Sequence, residues 1–498
     1  MYDFIVIGSG VVGSAIAREL SKYDVKIAVL EKNSDVCFET SGRNSGVVHG
    51  GFSYDTGSLK NLLCLKGNLM FDELSKELNF PFNRCGKLLV GNSLDDFNRL
   101  KLVMEQGKRN GVCGMEIIIG QDKISNVVPY AIGNYAILSK NSGVVDTFLF
   151  NIALAENAHF NGVDFYFNQP VNNIKVHDNF FEIFTDKTTY KTKWIINSAG
   201  LNAHNIAKLV GINDYKVIGS KGEYIIIDKK VGKLLPMPLY PVPSNTYMGI
   251  HLTNTVDGNI LIGPNAETTE NFSDYSVRKS SINFLEKEAK KIYSNIDRTT
   301  FIRNYSGILP KWVDDNGVIQ DFKIEISKKV SNFINLIGIE SPGLTAAVPI
   351  GEYVCELIKN VSQLKENKNF SPNRKAFKRF LKMNFEEKSK VIKENPDYGE
   401  IICKCEMVSK AEILYAINNP LGVNSLKSIK YRTRAMTGSC QGGYCQTKIA
   451  NLIEKNLNNS NVKFSNEDTN IFTNLVREKY DLWLYSNRWW PCRTCCCH

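Results

Sequence analysis

Tyr2-Asp-Phe-Ile-Val-Ile-Gly8-Ser-Gly10-Val-Val-Gly13 is a short apolar strand that runs directly into three spaced glycines. Ser14-Ala-Ile-Ala-Arg-Glu-Leu-Ser continues with helical periodicity. Glycines at these places let the chain turn tightly, let backbone approach a pyrophosphate, and let strand and helix pack closely. The helix N-terminus then offers amide donors and the positive end of its dipole to phosphate. A second apolar run, Val25-Lys-Ile-Ala-Val-Leu, ends in Glu31, where a carboxylate can accept both ribose hydroxyls of an adenosine. A glycine pattern by itself is weak; strand, loop, helix, strand and terminal acid together predict an α/β dinucleotide-binding fold.

The next stretch favours flavin over nicotinamide. Glu39-Thr40-Ser41-Gly-Arg43-Asn44-Ser45-Gly-Val-Val-His49-Gly-Gly is dense in small residues and hydroxyls, as backbone approach to a long, rigid isoalloxazine requires. A later strand, Trp194-Ile-Ile-Asn-Ser-Ala199-Gly200, ends in a small pair suited to close cofactor contact. Phe333-Ile-Asn-Leu-Ile-Gly338 runs into Ile-Glu-Ser-Pro-Gly343-Leu344-Thr345. Gly343, and a helix predicted from Thr345 through Glu352, suit the pyrimidine end of a flavin through amides and dipole.

Far from this end, Cys403 and Cys405 in Ile-Cys-Lys-Cys-Glu are followed by Cys440 and Cys445 in Gly-Ser-Cys-Gln-Gly-Gly-Tyr-Cys. Two close pairs one small domain apart are ligand spacing, and thiolate sulfur suits zinc or an iron–sulfur cluster. Cys-x-Cys followed by Cys-x4-Cys fits the knuckles of structural zinc poorly, and a redox cofactor at the other end favours an electron-carrying cluster. Glycine turns at Gly438-Ser and Gln441-Gly-Gly are expected to give amides to its sulfurs. Val408-Ser409-Lys-Ala-Glu-Ile-Leu-Tyr-Ala-Ile is predicted as a helix capped by Ser409, with a second helix after Cys445.

The chain has 498 residues, 43% hydrophobic and 22% charged, enough for two to four domains of ordinary globular composition. Its net charge of +10 is spread over many lysines with no concentrated basic run, which argues against nucleic acid and suits an anionic substrate or an acidic redox partner. No apolar stretch approaches the roughly 20 residues that span a bilayer. The first strand starts at Tyr2, without room for a signal peptide, so the 13 cysteines read as reduced thiols and metal ligands. A cytoplasmic location is expected, with peripheral attachment at the inner membrane through a partner as a second expectation.

The three nucleotide segments, in this order, resemble the FAD-dependent amine and hydroxy-acid oxidoreductases typified by D-amino-acid oxidase. Thr40-Ser-Gly-Arg-Asn-Ser-Gly-Val-Val-His-Gly-Gly with Tyr54-Asp-Thr-Gly-Ser-Leu-Lys is similar to the L-2-hydroxyglutarate and glycerol-3-phosphate dehydrogenase branch. Cys403-Lys-Cys-Glu, Tyr431-Arg-Thr-Arg and Cys440-Gln-Gly-Gly-Tyr-Cys445 resemble the tail of anaerobic glycerol-3-phosphate dehydrogenase large subunits, related to bacterioferritin-associated ferredoxin. The resemblance implies an α/β chain: a Rossmann-like FAD-binding domain, an interleaved antiparallel-sheet substrate domain, and a small 2Fe–2S domain. FAD-binding pieces are expected at about 1–80, 141–215 and 331–361, with substrate-binding pieces at about 81–140 and 216–330. A bridging helix and charged linker are expected over 362–398, a cluster domain over 399–455 and a tail over 456–498.

The implied reaction oxidises a small anionic secondary alcohol, glycerol 3-phosphate first and L-2-hydroxyglutarate second, with electrons leaving through a 2Fe–2S cluster. The expected acceptor is a flavoprotein or a quinone-linked partner subunit. His49 and His251 are the candidate bases, because a histidine near neutral pKa suits removal of a hydroxyl proton. Family members often carry Gly-x-Arg-Pro where this chain has Gly307-Ile-Leu309-Pro310-Lys311, so the usual anion-holding arginine is missing. Lys221, Arg303 and Lys311 are the candidate replacements, with Tyr240 beside them in Tyr240-Pro-Val-Pro. Tyr240-Pro-Val-Pro and Gly249-Ile-His251-Leu-Thr look more like the hydroxyglutarate enzymes, whereas the tail looks more like the glycerol-phosphate enzymes. Loss of the arginine also keeps open a non-catalytic electron-transfer subunit.

Residues 483–498, with Cys492, Cys495, Cys496, Cys497 and His498, fit nothing before them. Codons permitted for Asn487 to His498, read one base later, allow Ile-Gly-Gly-Gly-Pro-Ala-Gly-Leu-Ala-Ala-Ala, another flavin nucleotide loop. The expectation is a frameshift from about residue 483 in a longer two-flavin polypeptide.

Overall fold

The computed structural model describes residues 1–243 and 248–456; the frameshift reading at 483–498 lies outside the described residues. The chain divides into a unit of Met1–Ala376 and a second beginning at Phe377.

In the first unit the strand Tyr2–Ile7 lies between Ile27–Leu30 and Thr189–Asn197, parallel to both. Asp164–Tyr166 extends the parallel order beyond Ile27–Leu30, and Phe333–Ile337 pairs with the last residues of Thr189–Asn197. Antiparallel strands Phe181–Thr185 and Lys323–Ile326 flank this set. Ile5, Val6, Ile195, Ile196 and Ile334 have no exposed surface, as expected of parallel strands covered on both faces. Gly8, Glu31, Ser198–Gly200 and Gly338–Thr345 all follow the carboxyl ends of these strands, the edge at which open α/β sheets bind ligands.

The helix after the glycine loop runs Val11–Leu20, earlier than its periodicity suggested. The last helix is Ala347–Lys359, starting two residues after the predicted Thr345 and running past Glu352. A second sheet pairs the long strands Lys216–Ile227 and Phe301–Val313 antiparallel. It continues through Ile260–Ile262, Leu252–Asn254, Leu239–Pro241, Lys87–Gly91, Tyr135–Ser139 and Met115–Ile119. One pairing departs from the antiparallel expectation: Leu239–Pro241 runs parallel to Lys87–Gly91.

The second unit contains a helix at Phe385–Glu394, inside the stretch expected as bridging helix and linker. The strand pair Ile401–Cys403 and Val408–Ser409 then leads into helices Lys410–Ile417, Leu426–Thr433 and Gln446–Asn456. Ile413, Ala416, Ile429, Ile449 and Ile453 form its dry core together with Cys403 and Cys445. Ser409, the cap expected from sequence, accepts from the Glu412 amide, and the Glu412 carboxylate accepts from the Ser409 amide, making the cap reciprocal. The helix Leu426–Thr433 has no counterpart in the sequence reading. No helix among the described residues is long and apolar enough to cross a membrane.

Candidate functional site

At the nucleotide end, steric necessity explains the glycines. Gly8 has φ +100°, and a side chain there would meet Ser198 O at 2.8 Å; one at Gly13 would meet Gly8 O at 2.0 Å. Gly10 is the N-cap residue of the helix, with extended backbone and no side-chain cap of its own, so beyond Val11, whose amide donates to Ser41, the first-turn amides are open to an anion. Ala199 packs over Gly8, and Gly200 takes φ +56° with open space where a side chain would stand. Glu31 is buried and its carboxyl is pushed up by that burial, against bonds donated by the Ser9 amide and hydroxyl and the Asn33 amide. These donors fix its direction: Oε2 takes both Ser9 donors, and Oε1, with the Asn33 amide alone, retains a lone pair for a ribose hydroxyl.

The segment 40–46 joins both sheets. The Ser41 hydroxyl accepts from the Val11 amide at 3.0 Å, in the first turn of the nucleotide helix. Thr40 Oγ1 donates to Ile308 O at 2.8 Å, and Arg43 Nη1 donates to Ser306 O at 3.3 Å. Asn44 donates to Ser41 O and accepts from the Gly46 amide, which holds the turn. The Arg43 guanidinium lies 3.8 Å from the Tyr275 ring centroid, while the Tyr275 hydroxyl donates to Glu39. Among the described residues the buried Nε of Arg43 and hydroxyl of Ser306 have no hydrogen-bond partner. Orphaned donors beside a glycine cradle are what a protein shaped for a bound dinucleotide should show, so these residues fit FAD.

His49 leaves this segment. Its amide donates to Thr345 Oγ1 at 3.0 Å, tying it to the loop that carries Gly343 and the part-exposed Leu344. Its Nε2 lies 3.3 Å from Ser341 Oγ, which in turn lies 3.4 Å from the Tyr54 hydroxyl. His251 stacks on Tyr240 with ring centroids 3.5 Å apart, and Ser45 lies near the Tyr240 hydroxyl. Burial, then the charge of Lys87, then His251, holds the His49 imidazole well below its usual pKa. Burial and Lys87 take His251 down to about 3. Both rings are therefore neutral at physiological pH.

The cations suggested by sequence are committed elsewhere. Lys221 is buried and donates to Asp274 at 2.7 Å; Lys311 lies 3.5 Å from Glu340, which also takes Lys60 at 2.9 Å. Arg303 is exposed. The cation whose charge reaches both histidines is Lys87, which sequence reasoning passed over. Gly67 was missed too: as a glycine inside a helix it lets Thr345 O approach, since a side chain there would meet that oxygen at 2.0 Å. A groove of about 400 Å3 bordered by Glu19, Lys22, Lys66 and Glu352 lies apart from these residues, and its charges pair among themselves.

In the second unit the thiols stand in two pairs. Cys405 donates to Cys440 at 3.5 Å, and Cys445 bonds to Cys403. The second pair is buried and the first partly exposed. Cys403 is pulled down to about 6, chiefly by Cys445, with backbone bonds from Met436 and Glu406. Those amides point at the inner sulfur, and the Cys440 amide, between the expected Gly438 and Gln441–Gly443 turns, points at Cys405. Gly438 serves by its size: a side chain there would meet Cys405 Cβ at 2.3 Å. Among the described residues no three ligand side chains already close on one point. Four thiols offered two by two nonetheless make a donor set suited to a two-iron cluster, in which each iron needs two protein sulfurs.

Residues 3–357 match the family described as FAD dependent oxidoreductase, and residues 401–455 match the BFD-like 2Fe-2S binding domain. The glycerol 3-phosphate dehydrogenase of Caloramator mitchellensis is 37% identical over 92% of this chain and 95% of its own length. The mitochondrial L-2-hydroxyglutarate dehydrogenase of Arabidopsis thaliana is 29% identical over 71% of this chain and 82% of its own. Among solved structures, dithionite-reduced L-α-glycerophosphate oxidase from Mycoplasma pneumoniae with FAD bound superposes with a TM-score of 0.71. It is 26% identical and aligns over 76% of this chain and 99% of that one. With a family match spanning both sheets of the first unit and a second match on the four-cysteine unit, the chain belongs to the FAD dependent oxidoreductase family, binding FAD in its first unit and a 2Fe–2S cluster in its second.

Proposed function

We propose that this oxidoreductase is a dehydrogenase of glycerol 3-phosphate that passes its electrons through the cluster to a separate acceptor. The observation that carries the reading is the neutral, part-buried His49 held between Thr345 and Ser341 at the carboxyl edge of the parallel sheet. FAD bound in the first unit would supply a two-electron hydride acceptor, and a 2Fe–2S cluster bound by Cys403, Cys405, Cys440 and Cys445 would supply a one-electron carrier. His49 takes the hydroxyl proton on a ring nitrogen as that hydride leaves, so the alcohol becomes a ketone and the imidazole an imidazolium. Ser341 and Tyr54 orient the ring through their hydroxyls, and the Tyr240–His251 stack walls the alcohol from water. Likeness to a glycerol 3-phosphate dehydrogenase over 92% of the chain, cluster unit included, supports this substrate first.

L-2-hydroxyglutarate is the second reading, favoured by the Tyr240–His251 pair, whose sequence segments resemble the hydroxyglutarate enzymes. Anaerobic titration of the purified flavoprotein with each alcohol separates the two. Bleaching of the flavin band by glycerol 3-phosphate and not by L-2-hydroxyglutarate is expected. The reverse result moves the enzyme to the other substrate, and no bleaching by either turns the reading towards an electron-transfer subunit.

A further inference from the structure

Lys87 opens the strand Lys87–Gly91, whose five residues are all buried between Tyr135–Ser139 and Leu239–Pro241. Alternation along a strand puts Lys87 on the same face as Leu89. That face packs with Phe52, Leu100, Ile137 and Tyr240. An ammonium among such neighbours is expensive unless something compensates it. Its Nζ lies 4.5 Å from the Phe52 ring centroid and 4.7 Å from that of Tyr240. Ring faces soften the loss of water but do not replace a counter-charge.

Lys87 is only 4% exposed, yet among the described residues it has no carboxylate and no hydrogen-bond acceptor. The other buried bases of this unit are matched: Arg18 with Glu19 at 2.8 Å, and Lys221 with Asp274 at 2.7 Å. The cation without a counter-charge therefore stands beside His49, His251 and Tyr240.

We propose that Lys87 is the anion anchor of the substrate site, holding the phosphoryl group of the alcohol in the place of the arginine that Leu309 replaces. The assignment rests on the proposed alcohol-oxidising site and adds the residue that selects its charged end. Lysine serves a phosphoryl group as a point charge without the geometry of a guanidinium fork. The Tyr240 ring lies against Lys87, and the Ser341 and Tyr54 hydroxyls stand on the neighbouring His49 as neutral donors. Binding also removes an unbalanced charge from beside His49, so the anionic end of the substrate raises the basicity of the group that must take its proton.

The test uses the full-length, FAD-loaded protein with sulfate as the first probe, because sulfate stays a dianion and cannot be oxidised. Sulfate binding is read from perturbation of the flavin spectrum in wild type, Lys87→Met and Lys87→Arg. Loss of sulfate affinity on the order of 100-fold in Lys87→Met, with partial recovery in Lys87→Arg, is expected for a truncated buried charge pair. KM for glycerol 3-phosphate should rise by a similar factor. Should Lys87→Met fail to hold FAD, Lys87→Gln repeats the comparison with a neutral chain of similar length. Wild-type sulfate affinity in a folded neutral variant, or no sulfate binding to wild type, overturns the assignment. If glycerol 3-phosphate fails to reduce the wild type while sulfate binding still depends on Lys87, the substrate reading falls and the anion anchor stands.

Discussion

His49 and His251 are neutral for the same two reasons, burial first and the charge of Lys87 second. For His49→Gln we expect kcat for glycerol 3-phosphate to fall by about 100- to 10,000-fold with little change in KM, the range of a lost general base. Stopped-flow reduction of the flavin measures it directly. Lys87 carries its own pH signature, because burial brings it down to about 8. The groups facing it are His49 from the loop after the flavin segment, Cys64 from the helix Leu59–Glu77, and Tyr240 with His251, while Tyr54 stands against the His49 ring. Cys64 is pushed up to about 12, both tyrosines are raised and both histidines lowered, so the lysine alone titrates in that region. Sulfate affinity should hold steady below about pH 8 and fall about tenfold per unit above it. The stability sign is opposite to that of a paired lysine. Folding lowers this pKa from 10.5 to about 8, so the buried ammonium costs about 3 kcal/mol below pH 8, relieved as pH climbs towards the unfolded value. Lys87→Met should therefore melt higher than wild type near neutral pH, checked by calorimetry. None of this was legible in sequence: Gly-Lys-Leu-Leu-Val reads as a strand with a lysine at its exposed end, and only the strands on either side bury it.

Gly307 shows how much one element depends on another. It sits in the strand Phe301–Val313, and a side chain there would meet Arg43 O at 2.1 Å. Gly307→Ala must push the flavin segment off that strand. We expect FAD content to fall and the melting transition to drop, with a loss of roughly 1–3 kcal/mol typical of overpacking. Ser409→Ala removes one half of a reciprocal cap and should destabilise the second unit by about 1 kcal/mol, read from denaturant loss of cluster absorbance. The strand–glycine–helix opening and the Ser409 cap were legible because their signals are local and residue-specific. The start of the last helix was not: Thr345 spends its hydroxyl on the His49 amide instead of capping, and the helix begins at Ala347. The helix Leu426–Thr433 was missed because Leu-Lys-Ser-Ile-Lys-Tyr-Arg-Thr is short and mostly polar, with Leu426 and Ile429 turned into the core. The parallel pairing of Leu239–Pro241 with Lys87–Gly91 joins strands far apart in sequence, and no local pattern announces it.

Across the whole molecule, order along the chain carried the main result: nucleotide segments interrupted by sheet-forming ones, then four spaced cysteines. The proposed chemistry follows from that order, since a two-electron site and a one-electron centre in one chain suit dehydrogenation without oxygen. What the order could not supply was the charged end of the substrate, because the expected arginine is Leu309 and the unmatched cation arrives from a different strand. Cys440→Ala should lower iron content while leaving flavin bleaching by glycerol 3-phosphate intact, measured on one preparation by iron assay and visible spectrum. The most direct test of the account is to mix wild-type protein with glycerol 3-phosphate without oxygen, freeze it, and record the EPR spectrum. A reduced 2Fe–2S signal that grows as the flavin bleaches is expected. A bleached flavin with no cluster signal, in protein whose cluster dithionite does reduce, would contradict the account.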